Sequence, residues 1–413
     1  MSDAKNSGLG DAPSTGAGDS FAETTSTSWL QRIVNSFVGA LVGLVLVIAS
    51  IVAIFWNEGR AIETARSLAE GAGAVVSVDA GAVDPANDGK LVHVMGAAAA
   101  TAPLADPQFP VKASGLKLLR AVEMYQWRQD ERSETRNKLG GGQETVTTYS
   151  YSREWKDGRN ESSAFRHPEG HVNPPMAFSG RTFVAGDAKL GAFSLAPDLV
   201  GKLGDGAKYD VDAASLAGQP AQTPPERPER IVDGAIYVGA NSADPQIGDL
   251  KISYSLNPDG PVSAIGRQTG ASLGPYQTKA GRALYIIDPG ELDAVQMFKQ
   301  AESENAIIAW IIRGAALVAM WIGLALIFSP LSVLAGVIPF LGSLVGAGAG
   351  LASFVLTLIL GPLMIAIAWF AVRPLMSIAI VVVGLALAFA ASRLRSSRRS
   401  GLAPSPNIAP KTR

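Results

Sequence analysis

Residues 1–28 are mostly small and polar, and the chain then turns predominantly apolar and wholly uncharged from Ile33 to Trp56. The first stretch offers too little apolar surface to order itself and is read as a disordered tail. It is not a cleavable signal peptide, because a charged start followed by a short apolar core is missing. The second stretch, residues 33–56, covers about 36 Å as a helix, enough to cross a hydrocarbon core of about 30 Å. Trp29 and Trp56 bracket it, as indole rings do at membrane interfaces. Gly39 and Gly43 make one small-xxx-small step on this span. Beyond it, Ala61, Ile62, Ala65, Leu68 and Ala69 fall at helical spacing, which predicts a helical stem over 57–71 that stops at Gly71.

From residue 72 to 290 the period changes from helical to alternating, with short β-branched and aromatic runs broken by Gly, Pro, Asn and Asp. This predicts a β-rich soluble domain. The clearest strand is Leu250–Leu256, with Leu250, Ile252, Tyr254 and Leu256 on one face, followed by a turn at 257–261 and a return strand at Val262–Gln268. Further strands are expected at 90–95, 116–127, 145–155, 231–238 and 282–288, and the Pro-rich residues 219–230 read as a linker. Ala105-Asp106-Pro107-Gln108 before Leu116-Lys117 is echoed by Ala243-Asp244-Pro245-Gln246 before Leu250-Lys251. Chance recurrence aside, the echo predicts two related small β subdomains, 72–218 and 231–290, as tandem barrels of the oligonucleotide/oligosaccharide-binding type.

Residues 291–305 return to helical spacing as a second stem and run into a span at 306–328. An apolar loop at 329–341, with Pro330 and Pro339, reads as re-entrant or interfacial. A third span is expected at 342–372, kinked near Gly361-Pro362, and a fourth at 374–391, separated by Arg373-Pro374. A fifth crossing broken at Pro362 is the competing count. The fold class is therefore an integral membrane protein, one N-terminal and three C-terminal α-helical spans around a β-rich extracytoplasmic domain. Arg393, Arg395, Arg398 and Arg399 follow the last span, in a basic tail at 392–413. Basic flanks stay in the cytoplasm, so residues 1–28 are expected inside and 57–305 in the periplasm or an organelle lumen.

Composition agrees with this division. Of 413 residues 17% are charged, yet 33–56 hold no charge and 306–391 only Arg313 and Arg373. The chain has no cysteine, which excludes disulfides, thiolate nucleophiles and sulfur-based metal sites. A formal net charge of -1 gives no general attraction to nucleic acid, and none is expected as a partner.

Candidate chemistry is sparse. His167 and His171 flank Glu169, but Pro168, Gly170, Pro174 and Pro175 make the segment a loop, and no metal or cofactor is expected. His93 stands alone in a strand and reads as a core histidine. No phosphate loop, nucleophile elbow or HExxH motif occurs, so no catalytic residue is assigned and the chain is not read as an enzyme. Glu58 and Arg60 sit at the outer mouth of the first span, and Arg313 lies seven residues into the second, about 10 Å deep. An arginine there must snorkel or pair. Arg313 is expected to reach Glu58 or a lipid phosphate, and Arg373 to meet headgroups at the opposite hairpin. Gly342, Gly346 and Gly350 form a GxxxG ladder, a helix-packing surface acting within or between subunits.

The segment Trp56-Asn57-Glu58-Gly59-Arg60-Ala61, with Thr64-Ala65, Ser67-Leu68 and Glu70-Gly71, resembles the signature of the transmembrane protein 43 family, also called LUMA. Arg313-Gly314, Pro330-Leu331, Ile338-Pro339, Leu341-Gly342, Leu344-Val345-Gly346, Gly348, Ala368-Trp369 and Arg373-Pro374 resemble its C-terminal membrane block. Tyr125-Gln126-Trp127 and Tyr151-Ser152-Arg153-Glu154-Trp155 resemble motifs of its soluble part. The resemblance spans residues 33–391. It implies one N-terminal span, a large extracytoplasmic domain and three C-terminal spans, and little chemistry. In animals the family is associated with the endoplasmic reticulum and inner nuclear membrane, with organising other membrane proteins and with self-association. The missing cysteines and the Ala- and Gly-rich composition point to a bacterial member in the inner membrane.

Together these readings favour a non-enzymatic membrane scaffold whose partners are the lipid bilayer, further copies of itself and other membrane proteins. A channel or transporter is the alternative, disfavoured because the spans hold no acid. An envelope enzyme acting on lipid or cell wall is the third reading, disfavoured by the missing motifs.

Overall fold

The computed structural model describes residues 19–212, 214, 223 and 227–372. Two compact units are formed: residues 66–302 with 19–32 and 337–339, and residues 33–65 with 303–336 and 340–372. The expected fourth span at 374–391, Arg373 and the basic tail lie outside the described residues.

Among the described residues, three helices are long and apolar enough to cross a membrane: α1 (Trp29–Ala74), α2 (Ala294–Ala335) and α3 (Pro339–Val372). Ser28 caps α1 by accepting from the Gln31 amide at 3.3 Å. The expected stop at Gly71 does not occur; the helix continues to Ala74. Glycine is needed there for another reason, since a Cβ would lie 2.2 Å from Leu284 Cδ1 and 3.0 Å from the Phe298 ring. Asp293 and Gln296 exchange side-chain and backbone bonds of 2.8 and 2.9 Å, a reciprocal cap that starts α2. The apolar loop expected at 329–341 shrinks to residues 336–338, because α2 passes through Pro330 and α3 begins at Pro339. Proline at the first position of a helix loses no bond, which makes Pro339 a start rather than a break. Pro362 likewise lies inside α3, so no fifth crossing begins there.

The β-rich unit is built from β1 (Ser20–Thr27), β2 (Val76–Asp79), β3 (Leu91–Ala99), β4 (Lys117–Asn137), β5 (Gln143–Asp157), β6 (Glu229–Val232), β7 (Ala235–Val238), β8 (Leu250–Asn257), β9 (Gly260–Thr269) and β10 (Ile286–Pro289), with shorter strands between. An eight-stranded sheet runs β1-β5-β4-β8-β7-β6, with Arg181–Val184 beside β4 and Ala207–Tyr209 beside β8. A seven-stranded sheet runs β10-β9, Ser272–Gly274, Phe193–Ser194, Lys189–Leu190, β3-β2, and β9 also pairs with β3. Alternation sets the faces: Leu250, Ile252 and Tyr254 of β8 are buried while Lys251 is exposed. These side chains join Val92, Leu118, Val122, Phe193, Ile236 and Val262 in one core drawn from both sheets.

Tandem barrels do not form. β8, from the second expected subdomain, pairs along its whole length with β4 of the first, from Leu250 opposite Met124 to Asn257 opposite Lys117. β9 pairs with β3 in the same interleaved way. The turn at Pro258-Asp259 does not fold β9 back on β8; it carries the chain from one sheet to the other. Alternation dictates which face a strand buries but not which strand it meets. The two Asp-Pro echoes also differ. Asp106 is buried on Arg120, with oxygens 2.9 and 2.7 Å from Nη1 and the Tyr254 hydroxyl donating at 2.7 Å. In the second copy, Asp249 instead accepts the Gln246 amide and the Tyr237 hydroxyl. Burial and the adjacent carboxylate raise both phenols above their usual range. The end of the expected linker is strand, joined to β7 by a two-residue turn in which Asp233 and Gly234 take φ of 52° and 77°. Two successive positive φ values define the tight hairpin turn that favours Asp-Gly.

The tail expected to be disordered over 1–28 has order at its end. β1 pairs with β5 from Ser20 opposite Ser150 to Thr27 opposite Gln143. Phe21 stacks on His167 at 4.3 Å, and Glu23 accepts from Arg166 Nε at 2.8 and 2.9 Å. Backbone pairing needs no apolar content, which is why composition hid this strand.

Candidate functional site

The residues singled out at the mouth of the first span meet in the helical unit. Glu58 is 1% exposed and grips Arg313 as a fork, Nε to Oε1 at 2.6 Å and Nη2 to Oε2 at 2.8 Å. Such a bidentate pair fixes orientation as well as distance. Trp369 of α3 donates its indole N–H to Glu58 Oε2 at 2.7 Å, so one carboxylate ties α1, α2 and α3. The Arg313 guanidinium also lies over the Trp310 ring, 4.8 Å from its centroid.

A shell of amides extends the site. Asn57 donates to the Ala309 carbonyl at 3.0 Å, Arg60 donates to Asn305 Oδ1 at 3.1 Å and Asn57 Oδ1 at 3.3 Å, and Asn305 donates to the Ala61 carbonyl at 2.9 Å. Every acceptor here is either a helix carbonyl or an asparagine side chain, Asn57 one turn away on α1 and Asn305 across on α2. Glu58, Arg60 and Arg313 were visible as charges beside apolar runs. Asn57, Asn305 and Trp369 were not singled out as site residues; the clustered polar residues around Glu58 in the 56–61 motif were the available signal.

The register of the spans explains how Arg313 is tolerated. Glu58 stands opposite Arg313, Gly43 packs on Gly323, and the Ser36 carbonyl accepts from Ser329 Oγ at 3.5 Å. The end of the uncharged run at Trp56 is therefore level with the neighbourhood of Arg313, not with Ala306. Trp56 and Trp310 are exposed at that level, as in an aromatic belt. The Arg313 side chain reaches Glu58, two residues beyond the end of that run.

Small residues close the spans together at particular points. A Cβ on Gly43 would lie 2.4 Å from the Gly323 carbonyl oxygen, and one on Gly361 2.2 Å from Leu317 Cδ2. Of the predicted ladder, Gly342 packs on Gly336, with its Cβ position 2.6 Å from the Gly336 Cα. Among the described residues, a Cβ on Gly346 would meet only the Ser332 Cβ, at 3.6 Å, and one on Gly350 would meet nothing within 4 Å. Gly350 does receive the Trp321 indole N–H on its carbonyl, at 3.3 Å.

In the β unit, His171 turns Nδ1 to the His167 carbonyl at 3.1 Å, approaches Asp19 with Nε2 at 3.2 Å, and stacks on Tyr151 at 3.8 Å. Its nitrogens face a carbonyl and a carboxylate, and among the described residues no group of three or more His, Asp or Glu gathers to hold a metal. His93 is buried, with Nε2 2.9 Å from the Leu292 carbonyl and Nδ1 3.2 Å from Ser77 Oγ. Since a carbonyl only accepts, Nε2 carries the proton. Burial lowers the pKa of His93, against the opposing effects of the Leu292 carbonyl and Asp293.

A family model described as Transmembrane protein 43 matches residues 124–374. The chain is 35% identical to Transmembrane protein 43 of Mus musculus over 359 residues, 84% of this chain and 88% of that protein. It is 35% identical to Transmembrane protein 43 of Homo sapiens over 377 residues, 88% of this chain and 91% of that protein. A Drosophila melanogaster protein named Transmembrane protein 43 homolog is 26% identical over 277 residues, 66% of this chain and 71% of its own. No solved structure matches. These relatives are animal proteins, and the expectation of a bacterial source is not borne out.

Proposed function

This chain belongs to the transmembrane protein 43 family, and from that premise we propose that it is a non-enzymatic membrane scaffold that self-associates through its spans. In this reading residues 57–305 lie outside the cytoplasm and display the β-rich unit to other membrane proteins. The Glu58–Arg313–Trp369 fork keeps the three helices of the helical unit in one register. The observation that carries self-association is the divided fate of the small residues. Gly43, Gly323 and Gly361 are closed by neighbouring helices of the same chain, whereas a Cβ on Gly346 would meet only Ser332, in ordinary contact at 3.6 Å, and one on Gly350 would meet nothing within 4 Å among the described residues. Close approach of a second helix backbone is what such a face permits.

The test replaces both by leucine. Gly346→Leu with Gly350→Leu is expected to reduce the mass of the detergent-solubilised particle by light scattering, while Gly314→Leu, on an open position of α2, leaves it unchanged. An unaltered mass in the double variant removes the intersubunit role. Crosslinking mass spectrometry of native membranes would report self-contacts and partners together, and a strictly monomeric protein without copurifying partners would end the scaffold reading.

A further inference from the structure

Arg313 spends two of its three nitrogens on Glu58. The third, Nη1, has no protein acceptor among the described residues. Beside it, within the helical unit, is a cavity of about 160 Å³. Its walls are mostly apolar, with Ala61, Ile62, Ala306, Ala309 and the Trp310 ring, and the fork of Glu58, Arg313 and Trp369 closes one side. The exposed Trp56 and Trp310 put the cavity at the level where a bilayer has its phosphates.

We propose that this cavity is a phospholipid site, in which a lipid phosphodiester oxygen accepts from Arg313 Nη1 and the glycerol ester region lies against Ile62 and Ala306. The Glu58 fork and the Trp310 ring hold the plane of a guanidinium that lines the cavity, so its remaining nitrogen, Nη1, is a fixed donor; a planar donor loses little freedom on binding such an anion. Free phosphate has the same charge chemistry, but the apolar walls would strip its water without replacing it. A lipid ester presents apolar surface to those walls. The site requires only the register of the three spans and does not depend on self-association.

The experiment uses the full chain in detergent, exhaustively delipidated, then titrated with phosphatidylglycerol and read by native mass spectrometry. Wild type is expected to bind one phospholipid per chain. Arg313→Gln is expected to weaken it about tenfold or more, the scale of a lost charged hydrogen bond. Because that variant also breaks the fork, Ala306→Phe is the second probe: Ala306 is exposed at the cavity mouth, and a phenyl ring there fills the space while leaving Glu58, Arg313 and Trp369 joined. It should lose the lipid at an unchanged melting temperature. Wild-type binding in Ala306→Phe would overturn the proposal. So would displacement of the lipid by equimolar inorganic phosphate, which would make the site one for the free anion.

Discussion

Glu58 sits where a carboxylate is hardest to keep, buried beside apolar helices, and survives because three donors converge on it. Removing one member of such a pair strands the other. Glu58→Gln is expected to cost about 3–5 kcal/mol, the scale for an uncompensated buried charge. Glu58→Arg combined with Arg313→Glu should recover part of the loss, measured as thermal melting of the solubilised protein; no recovery would exclude direct pairing as the source of stability. Trp369→Phe keeps the ring volume and loses one charge-assisted bond, for about 1.5–3 kcal/mol. Half of this site was legible in the chain because a charge beside an uninterrupted apolar run demands a partner. Trp369 was not, since nothing local ties an indole to a glutamate more than 300 positions earlier. His93 adds a pH dependence. Its folded pKa lies below the unfolded value of about 6.5, so the unfolded state takes up a proton first as pH falls. The stability His93 supports is present above about pH 6.5 and is lost as pH drops through the lower folded value. The melting temperature is expected to fall between pH 7 and pH 5, and His93→Leu, though weaker at pH 8 for want of a partner to Leu292, should flatten that fall.

At the scale of elements, pattern and pairing part company. The strands at 90–95, 116–127 and 250–256 were readable from pattern because each sends side chains into a shared core; the strand at 145–155 was readable too, although among its residues only Tyr151 is buried. Their partners were not: β8 and β9 are consecutive and read as a hairpin, yet join different sheets. Helix contacts show the same limit. The small-residue spacing at 342, 346 and 350 was conspicuous, while the closest approach of two span backbones falls at Gly43 and Gly323, whose pairing only the register of α1 against α2 reveals. Gly43→Val is expected to push the helices apart and cost about 1–3 kcal/mol, as overpacking does. Gly39→Val, where a Cβ meets nothing closer than 3.9 Å, should cost much less. Equal losses in the two variants would show that helix propensity, not contact, sets the penalty.

At the scale of the whole molecule, β1 and α1 make incompatible demands. β1 shares a sheet with β5, so both strands must lie on one side of any bilayer. Yet the β-rich unit includes residues at both ends of α1, 19–32 and 66–74, and a helix that crosses has its ends on opposite sides. Magnitudes decide between them. Each Leu, Ile, Val or Phe of residues 33–56 favours the bilayer by about 0.3–0.6 kcal/mol, and fifteen of the 24 residues are of these types. β1 has eight mostly exposed residues, whose hydrogen bonds contribute about 0.5–1.5 kcal/mol each against an ordering cost of about 1–2 kcal/mol per residue. Threading β4 back through the bilayer to preserve the pair would place Arg128, Asp130, Arg132, Glu134 and Arg136 in hydrocarbon, at about 2.5–3.5 kcal/mol for each Arg or Asp at mid-depth. Insertion therefore wins, and β1 should pair with β5 only when α1 does not separate them. The chain has no cysteine of its own, which makes the test clean. Ala22→Cys with Thr148→Cys, at directly opposed positions, should form a disulfide in detergent but not in sealed native membranes. An impermeant maleimide should then label Ala22→Cys and Lys279→Cys from opposite faces. A disulfide formed in the intact membrane, with both sites labelled from one face, would mean that α1 does not cross, and the expected orientation of residues 1–28 and 57–305 would fall with it.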